Sequence, residues 1–249
     1  MEPLVILTIY NAIYLLIVVI LLIIVKKLIK QQKIKDIILK VIATLVVVIH
    51  FSGLYFDFFS NDGVAIIENN LLLPIYPCNI VMWCLLIVAF FKKKETVIYK
   101  YLSHFTAFGG TICGLIGVLF NMNFLATPDF NNFHIVKGLL SHTVMVLGTL
   151  YLIVLKYVKI DAKNTFISCV LGTAVFTING VFINTLFEVC NIPSVNAMFM
   201  LEAPLEMFPY LNFYTICSIA IIGTFIFLNL YEIIFVPNGK RWLFNIRKK

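Results

Sequence analysis

The chain has 249 residues, of which 61% are apolar and only 12% charged, with a mean hydropathy of +1.01. Soluble domains run at roughly half apolar residues, so an ordinary soluble fold is excluded. The net charge of +7 is not a nucleic-acid footprint, because the basic residues, Lys137 excepted, gather at the ends of long apolar runs on one side of them, as the positive-inside rule describes.

Those runs are continuous rather than alternating. That excludes a membrane β-barrel and predicts an all-α polytopic membrane protein, since lipid leaves only helices or closed barrels. A hydrocarbon core ~30 Å thick takes about 20 apolar residues per helix. The first span is predicted over 3–25, too long for the apolar region of a signal peptide, and Lys26, Lys27, Lys30, Lys33 and Lys35 follow it. The second, 37–59, carries His50 and leads into a loop with Asp62 and Glu68 but no Lys or Arg. The third, 71–91, opens on Leu71-Leu72-Leu73-Pro74-Ile75-Tyr76-Pro77-Cys78-Asn79 and closes on Lys92-Lys93-Lys94. The fourth, 101–120, contains Gly109, Gly110, Gly114 and Gly117. Small residues at this spacing let helix backbones approach closely, either for packing or to floor a ligand groove. The fifth, 134–155, carries His142; the sixth, 165–189, carries Asn179, Asn184 and Glu188; the seventh, 211–236, runs into a basic tail. The reading is a single domain over 1–249 with seven transmembrane helices, N-terminus out and C-terminus in. Of 19 Lys and Arg, Lys137 alone falls on the outer side. No internal repeat of the kind seen in many transporters is present.

Ionisable and polar groups inside lipid are costly, so each is a functional hypothesis. Counted along their spans at 1.5 Å per residue, His50, Cys78, His142, Asn179 and Asn184 all lie about 10 Å below the outer boundary. His134, Gly138 and His142 share one helix face, as do Gly180, Asn184 and Glu188. A thiol attacks as thiolate, and a neighbouring imidazole makes one available at neutral pH. Cys78 with His142 as base is therefore a chemically adequate pair for acyl transfer. Asn79, Asn179 or Asn184 could orient the base or donate to an oxyanion.

Blander readings stand beside these. Cys78 is otherwise a packing residue, or half of a disulfide with Cys190. Pro74 and Pro77 kink a helix or start one. His50 and His142 read equally as packing histidines, Asp129 as a turn or cap residue, and Glu188 as solvated. The six cysteines show no zinc-ligand spacing, so no metal and no organic cofactor is expected.

Three blocks resemble a known family. Leu73-Pro74-Ile75-Tyr76-Pro77-Cys78-Asn79 resembles the Leu-Pro-Leu-His-Leu-Cys-(Asn/Asp) signature of the YwaF-type membrane proteins, the bacterial relatives of transmembrane protein 164. Thr127-Pro128-Asp129, His134 and Leu140-Ser141-His142 resemble that family's second block. The stretch from Asn184 to Tyr214, with Asn196, Met198-Phe199-Met200, Pro204 and Pro209, is similar to a third in degraded form. Tyr76 and Pro77 depart from the signature. The resemblance implies an acyltransferase that moves fatty acyl chains onto lysophospholipids, with Cys78 as nucleophile and His142 as its histidine. The expected partners are membrane lipids, with no nucleic acid, at a bacterial plasma membrane. A lipid hydrolase, or a non-enzymatic transporter or lipid-binding protein using the same polar layer, is the alternative.

Overall fold

The computed structural model describes residues 3–60, 69–121, 124–125, 128–193, 195–203, 209–210 and 212–242. Asp62, Glu68, Thr127, Pro204, Glu206, Arg247, Lys248 and Lys249 lie outside the described residues, among which there is no strand. The helices are α1 (Pro3–Leu28), α2 (Gln32–Ser60), α3 (Asn69–Leu72), α4 (Pro77–Phe90), α5 (Val97–Leu119), α6 (Phe133–Val154), α7 (Ala162–Val189) and α8 (Phe213–Phe235). Six of these, all but α3 and α4, are long and apolar enough to cross a membrane.

The third predicted span is where structure and expectation differ. It is divided into α3, a non-helical elbow over 73–76, and α4. The 14 residues of α4 cover about 21 Å at 1.5 Å each, short of a ~30 Å core. The cause is local. Neither Pro74 nor Pro77 has an N–H to give a helix, and Pro77 is placed where proline is tolerated, at the first position of α4.

Polar side chains start α5, α6, α7 and α8. Thr96 caps α5 through the N–H of Tyr99, Asp161 caps α7 through Asn164, and Asn212 caps α8 through Thr215. Asn132, not Asp129, caps α6, accepting from His134 and Ile135. Asp129 instead accepts from the N–H of Asn131 at 2.8 Å, closing the turn before it. Each such cap contributes about 1 kcal/mol.

The bundle is centred on α6, which packs against α5, α2 and α1. Gly110, Gly114 and Gly117 of α5 all face it: a Cβ on them would meet Thr149, Val146 and His142 respectively. The glycines are thus spent on helix packing, and they fix an antiparallel register between α5 and α6. On the lysine-rich side, Asp36 gathers three elements. It pairs with Lys94 at 3.0 Å and accepts from Tyr157 at 2.5 Å and Gln32 at 3.1 Å, while Tyr151 donates to the carbonyl of Lys35. Burial, and then the bond to Asp36, push the Tyr157 phenol above its usual range, so it remains a donor. All six cysteines are free, which removes the Cys78–Cys190 disulfide.

Candidate active site

The elbow at 73–76 has no helical ladder of its own, and non-helical backbone at membrane depth is tolerated only when its groups are satisfied inside the protein. They are. The carbonyl of Pro74 accepts from Asn179 Nδ2 at 2.7 Å, and that of Ile75 from the N–H of Met198 at 2.7 Å. The N–H of Tyr76 donates to Asn79 Oδ1 at 2.9 Å. The Tyr76 ring stacks on Phe199 with centroids 5.3 Å apart. Asn184 holds the far side of this lid, accepting from the N–H of Ala197 at 2.9 Å and donating to its carbonyl at 3.3 Å. Asn79, Asn179 and Asn184 therefore position backbone.

This architecture puts Cys78 in the first turn of α4, one residue after Pro77 and one before Asn79, whose N–H donates to the carbonyl of Tyr76 at 3.0 Å. First-turn amides have no helical partner and carry the positive end of the helix dipole. The dipole end favours negative charge at Cys78, while the apolar core packed around it opposes charge.

His142 is oriented from within its own helix. Its Nδ1 lies 2.8 Å from the carbonyl of Gly138, and a carbonyl only accepts, so Nδ1 carries the proton. In the neutral ring Nε2 is then the basic nitrogen. The ring lies against Gly117, where a Cβ would come within 2.4 Å of Nε2.

The helix register sets the level of Cys78 against α5. Val81 of α4 and Thr149 of α6 both meet Gly110. Cys78 is one turn before Val81 on the same face of α4, at the level of Cys113 and Gly114, and Cys113 is within electrostatic range of Cys78. His142 lies against Gly117, one helical turn beyond Cys113 on α5, or about 6 Å along the helix. Among the described residues no hydrogen bond joins the two side chains.

The remaining residues fall into a separate group. His134 Nε2 is 2.8 Å from Asp57 Oδ1, a buried carboxylate on α2. Lys137 reaches the same seam, its Nζ 2.7 Å from where a Cβ on Gly53 would be. His50 is on this face of α2, at the spacing i, i+3, i+7 with Gly53 and Asp57. The face bearing His134, Gly138 and His142 is accordingly shared: His134 turns to α2 and His142 to α5. The Gly180–Asn184 face of α7 receives Met198 and Ala197 rather than His142. Glu188, at its end, is exposed. Asp57 was not among the residues singled out in the sequence, although its spacing from His50 marks it.

Beside the elbow, a cleft with a volume of about 90 Å³ runs between α5, α7 and α8. Pro77, Met198 and Phe199 line one end and Phe105 and Thr224 the other, with Cys113, Cys169 and Cys217 along its walls. Among the described residues, no three His, Cys, Asp or Glu side chains are grouped so as to hold a metal ion.

No curated protein and no solved structure significantly matches the sequence. The model of the TMEM164 family matches residues 2–231, a range that takes in both the elbow with Cys78 and the helix with His142. The chain is a membrane-embedded helical protein that belongs to the TMEM164 family.

Proposed function

We propose that this protein is a membrane acyltransferase that moves a fatty acyl chain from a phospholipid onto a lysophospholipid through a thioester on Cys78. One observation carries the reading. Cys78 stands in the first turn of α4, and His142, its Nε2 left basic by the Gly138 carbonyl, lies against Gly117 of α5, one helical turn beyond Cys113, the α5 residue within electrostatic range of Cys78.

The chemistry balances with these groups. His142 Nε2 takes the thiol proton, and the thiolate attacks the ester carbonyl of the donor lipid. The tetrahedral oxyanion collapses, breaking the ester C–O bond. The departing lysolipid oxygen takes the proton back from the imidazolium, leaving acyl-Cys78. An acceptor hydroxyl then gives its proton to His142 and attacks the thioester, and Cys78 leaves as thiolate and is reprotonated. The positive end of the α4 dipole supplies stabilisation for negative charge at sulfur or oxygen. The lysine distribution supports a site in the outer half of a bacterial plasma membrane, with the N-terminus outside.

The missing hydrogen bond between Cys78 and His142 favours a second reading, a lipid-binding or transport protein that uses the same cleft. Purified protein in nanodiscs, given a phospholipid donor and an isotope-labelled lysophospholipid, separates the two. Labelled diacyl lipid from wild type, absent with Cys78→Ala and His142→Gln at equal folding, is the expected result. Labelled free fatty acid in place of diacyl lipid would make the protein a hydrolase. No product of either kind from wild type would leave the binding reading.

A further inference from the structure

The cleft beside the elbow is measured off by two glycines of α7. A Cβ on Gly172 would fall 2.0 Å from Phe105 Cε2, and one on Gly180 would fall 2.4 Å from Met200 Sδ and 3.0 Å from Met198 Cβ. Phe105 and Met198 are therefore seated in notches, and each closes one end of the cleft. The notches are eight residues apart, or about 12 Å along the helix. Both plugs are held firmly. Phe105 is buried and meets Phe176 edge-on at 5.4 Å. Met198 is wholly buried, with its N–H donating to Ile75.

Nothing between the plugs invites water. The walls are Ile112, Ile116, Phe176, Ile216 and the three cysteines, which behave as small apolar groups. The hydroxyl of Thr173, which also lines the cleft, is spent on the carbonyl of Cys169 at 3.0 Å. A water needs two or more polar partners; the other hydroxyl of the lining, Thr224, is at the far end and engaged with Cys169, and the rest of the wall is apolar. The helix α8 packs on α7, and the gap between α8 and α5 is the cleft. Its walls belong to three helices long and apolar enough to cross a membrane, so in a bilayer the molecules that bathe its open side are lipid chains. Continuity with the elbow gives the cleft a direction. Pro77 at one end adjoins Cys78 in sequence, and the wall residue Cys113 is within electrostatic range of Cys78.

We propose that this cleft holds the acyl chain of a membrane phospholipid, with the ester at the Pro77–Met198 end and the chain running toward Phe105, so that Phe105 determines how much chain is accommodated. The direction of the chain rests on the acyltransferase reading of Cys78; occupancy of the cleft does not.

The two are tested apart. The Cys78→Ala protein, which forms no thioester, is irradiated in nanodiscs with a phosphatidylcholine bearing a mid-chain diazirine, and the adducts are mapped. They are expected on 105–116 of α5 and 216–224 of α8. Ala220→Trp, which fills the cleft, should lower them about tenfold, the scale of overpacking a filled site. Gly223→Trp, on the open side of α8 with nothing within 4 Å of its Cβ, should leave them unchanged. Adducts spread evenly over all lipid-facing helices, or indifferent to Ala220→Trp, would overturn the cleft. The second arm uses the intact Cys78 protein and compares the acyl groups recovered as thioester from a mixture of chain lengths. Phe105→Ala, with Phe105→Leu in reserve if folding suffers, should shift them to longer chains. Confined crosslinks without any thioester would sink the Cys78 reading and keep the cleft. A thioester of unchanged length profile in both Phe105 variants would remove Phe105 as the ruler.

Discussion

The substitution Gly117→Ala adds one methyl group where the His142 ring now lies. The new carbon would be 2.1 Å from Cδ2, 2.4 Å from Nε2 and 2.6 Å from Cγ. Bringing the nearest of these to an ordinary contact of 3.4 Å moves the imidazole by about 1.3 Å. Overpacking of this kind costs ~1–3 kcal/mol of stability, which the bundle survives with a lowered Tm. The chemical cost is larger. A misplacement of ~1 Å in a catalytic group costs about a hundredfold in rate, so acylation of Cys78 should slow by about that factor. Gly114→Ala is the control. It crowds the same helix pair, but its methyl meets Val146 Cγ2 at 2.8 Å and stays 3.6 Å from the His142 carbonyl, so the ring keeps its place. Time courses of the acyl-protein mass, with Tm recorded in parallel, read both effects. Wild-type acylation by Gly117→Ala, or an equal loss in Gly114→Ala, would refute the reasoning.

Other consequences follow from the same geometry. Asn79→Leu removes the acceptor for the Tyr76 N–H and should lower stability by ~1 kcal/mol, whereas Asn79→Asp keeps the acceptor and should stay near wild type, as judged by thermal denaturation in detergent. Asn179→Leu strands the carbonyl of Pro74 and should cost ~1–3 kcal/mol in the same assay. His134→Phe leaves Asp57, only 6% exposed, without its imidazole partner. It should lower Tm while the rate of Cys78 acylation per folded molecule is unchanged; a lost rate at intact Tm would move the His134 group into the chemistry. Cys190 is the one exposed cysteine of the six, so a membrane-impermeant maleimide should label it first in intact cells if the lysine-poor side faces outward. Labelling only after lysis would reverse the proposed orientation.

Much of the fold is legible in the sequence because lipid imposes a simple rule, apolar length, and six of the predicted spans correspond to helices long enough to cross. The third does not, because two prolines deny it a continuous ladder. The two prolines read in the sequence as a kink or a start, and the structure makes Pro77 the first residue of α4; the spacing of Gly138 and His142 gives a shared helix face, and the structure adds the bond between them. Other features depend on register between distant segments, which no local pattern encodes. Asp57 meets His134 only because α2 and α6 run antiparallel in one alignment. Asn179 and Asn184 share a depth with Cys78, as counted along their spans, but depth does not give direction: both turn to the backbone of the elbow and its lid. Nor does the sequence foretell Met198 and Phe199 with φ of 56° and 57°, since neither residue favours that conformation and the surrounding bonds impose it.

The measurement closest to the central claim is the intact mass of the purified protein after incubation with mixed phospholipids, for wild type and Cys78→Ala, before and after hydroxylamine. The account predicts an added fatty acyl mass on wild type alone, removed by hydroxylamine at neutral pH as a thioester is. Unmodified wild-type protein after incubation with lipid, or an adduct that persists in Cys78→Ala, would contradict it.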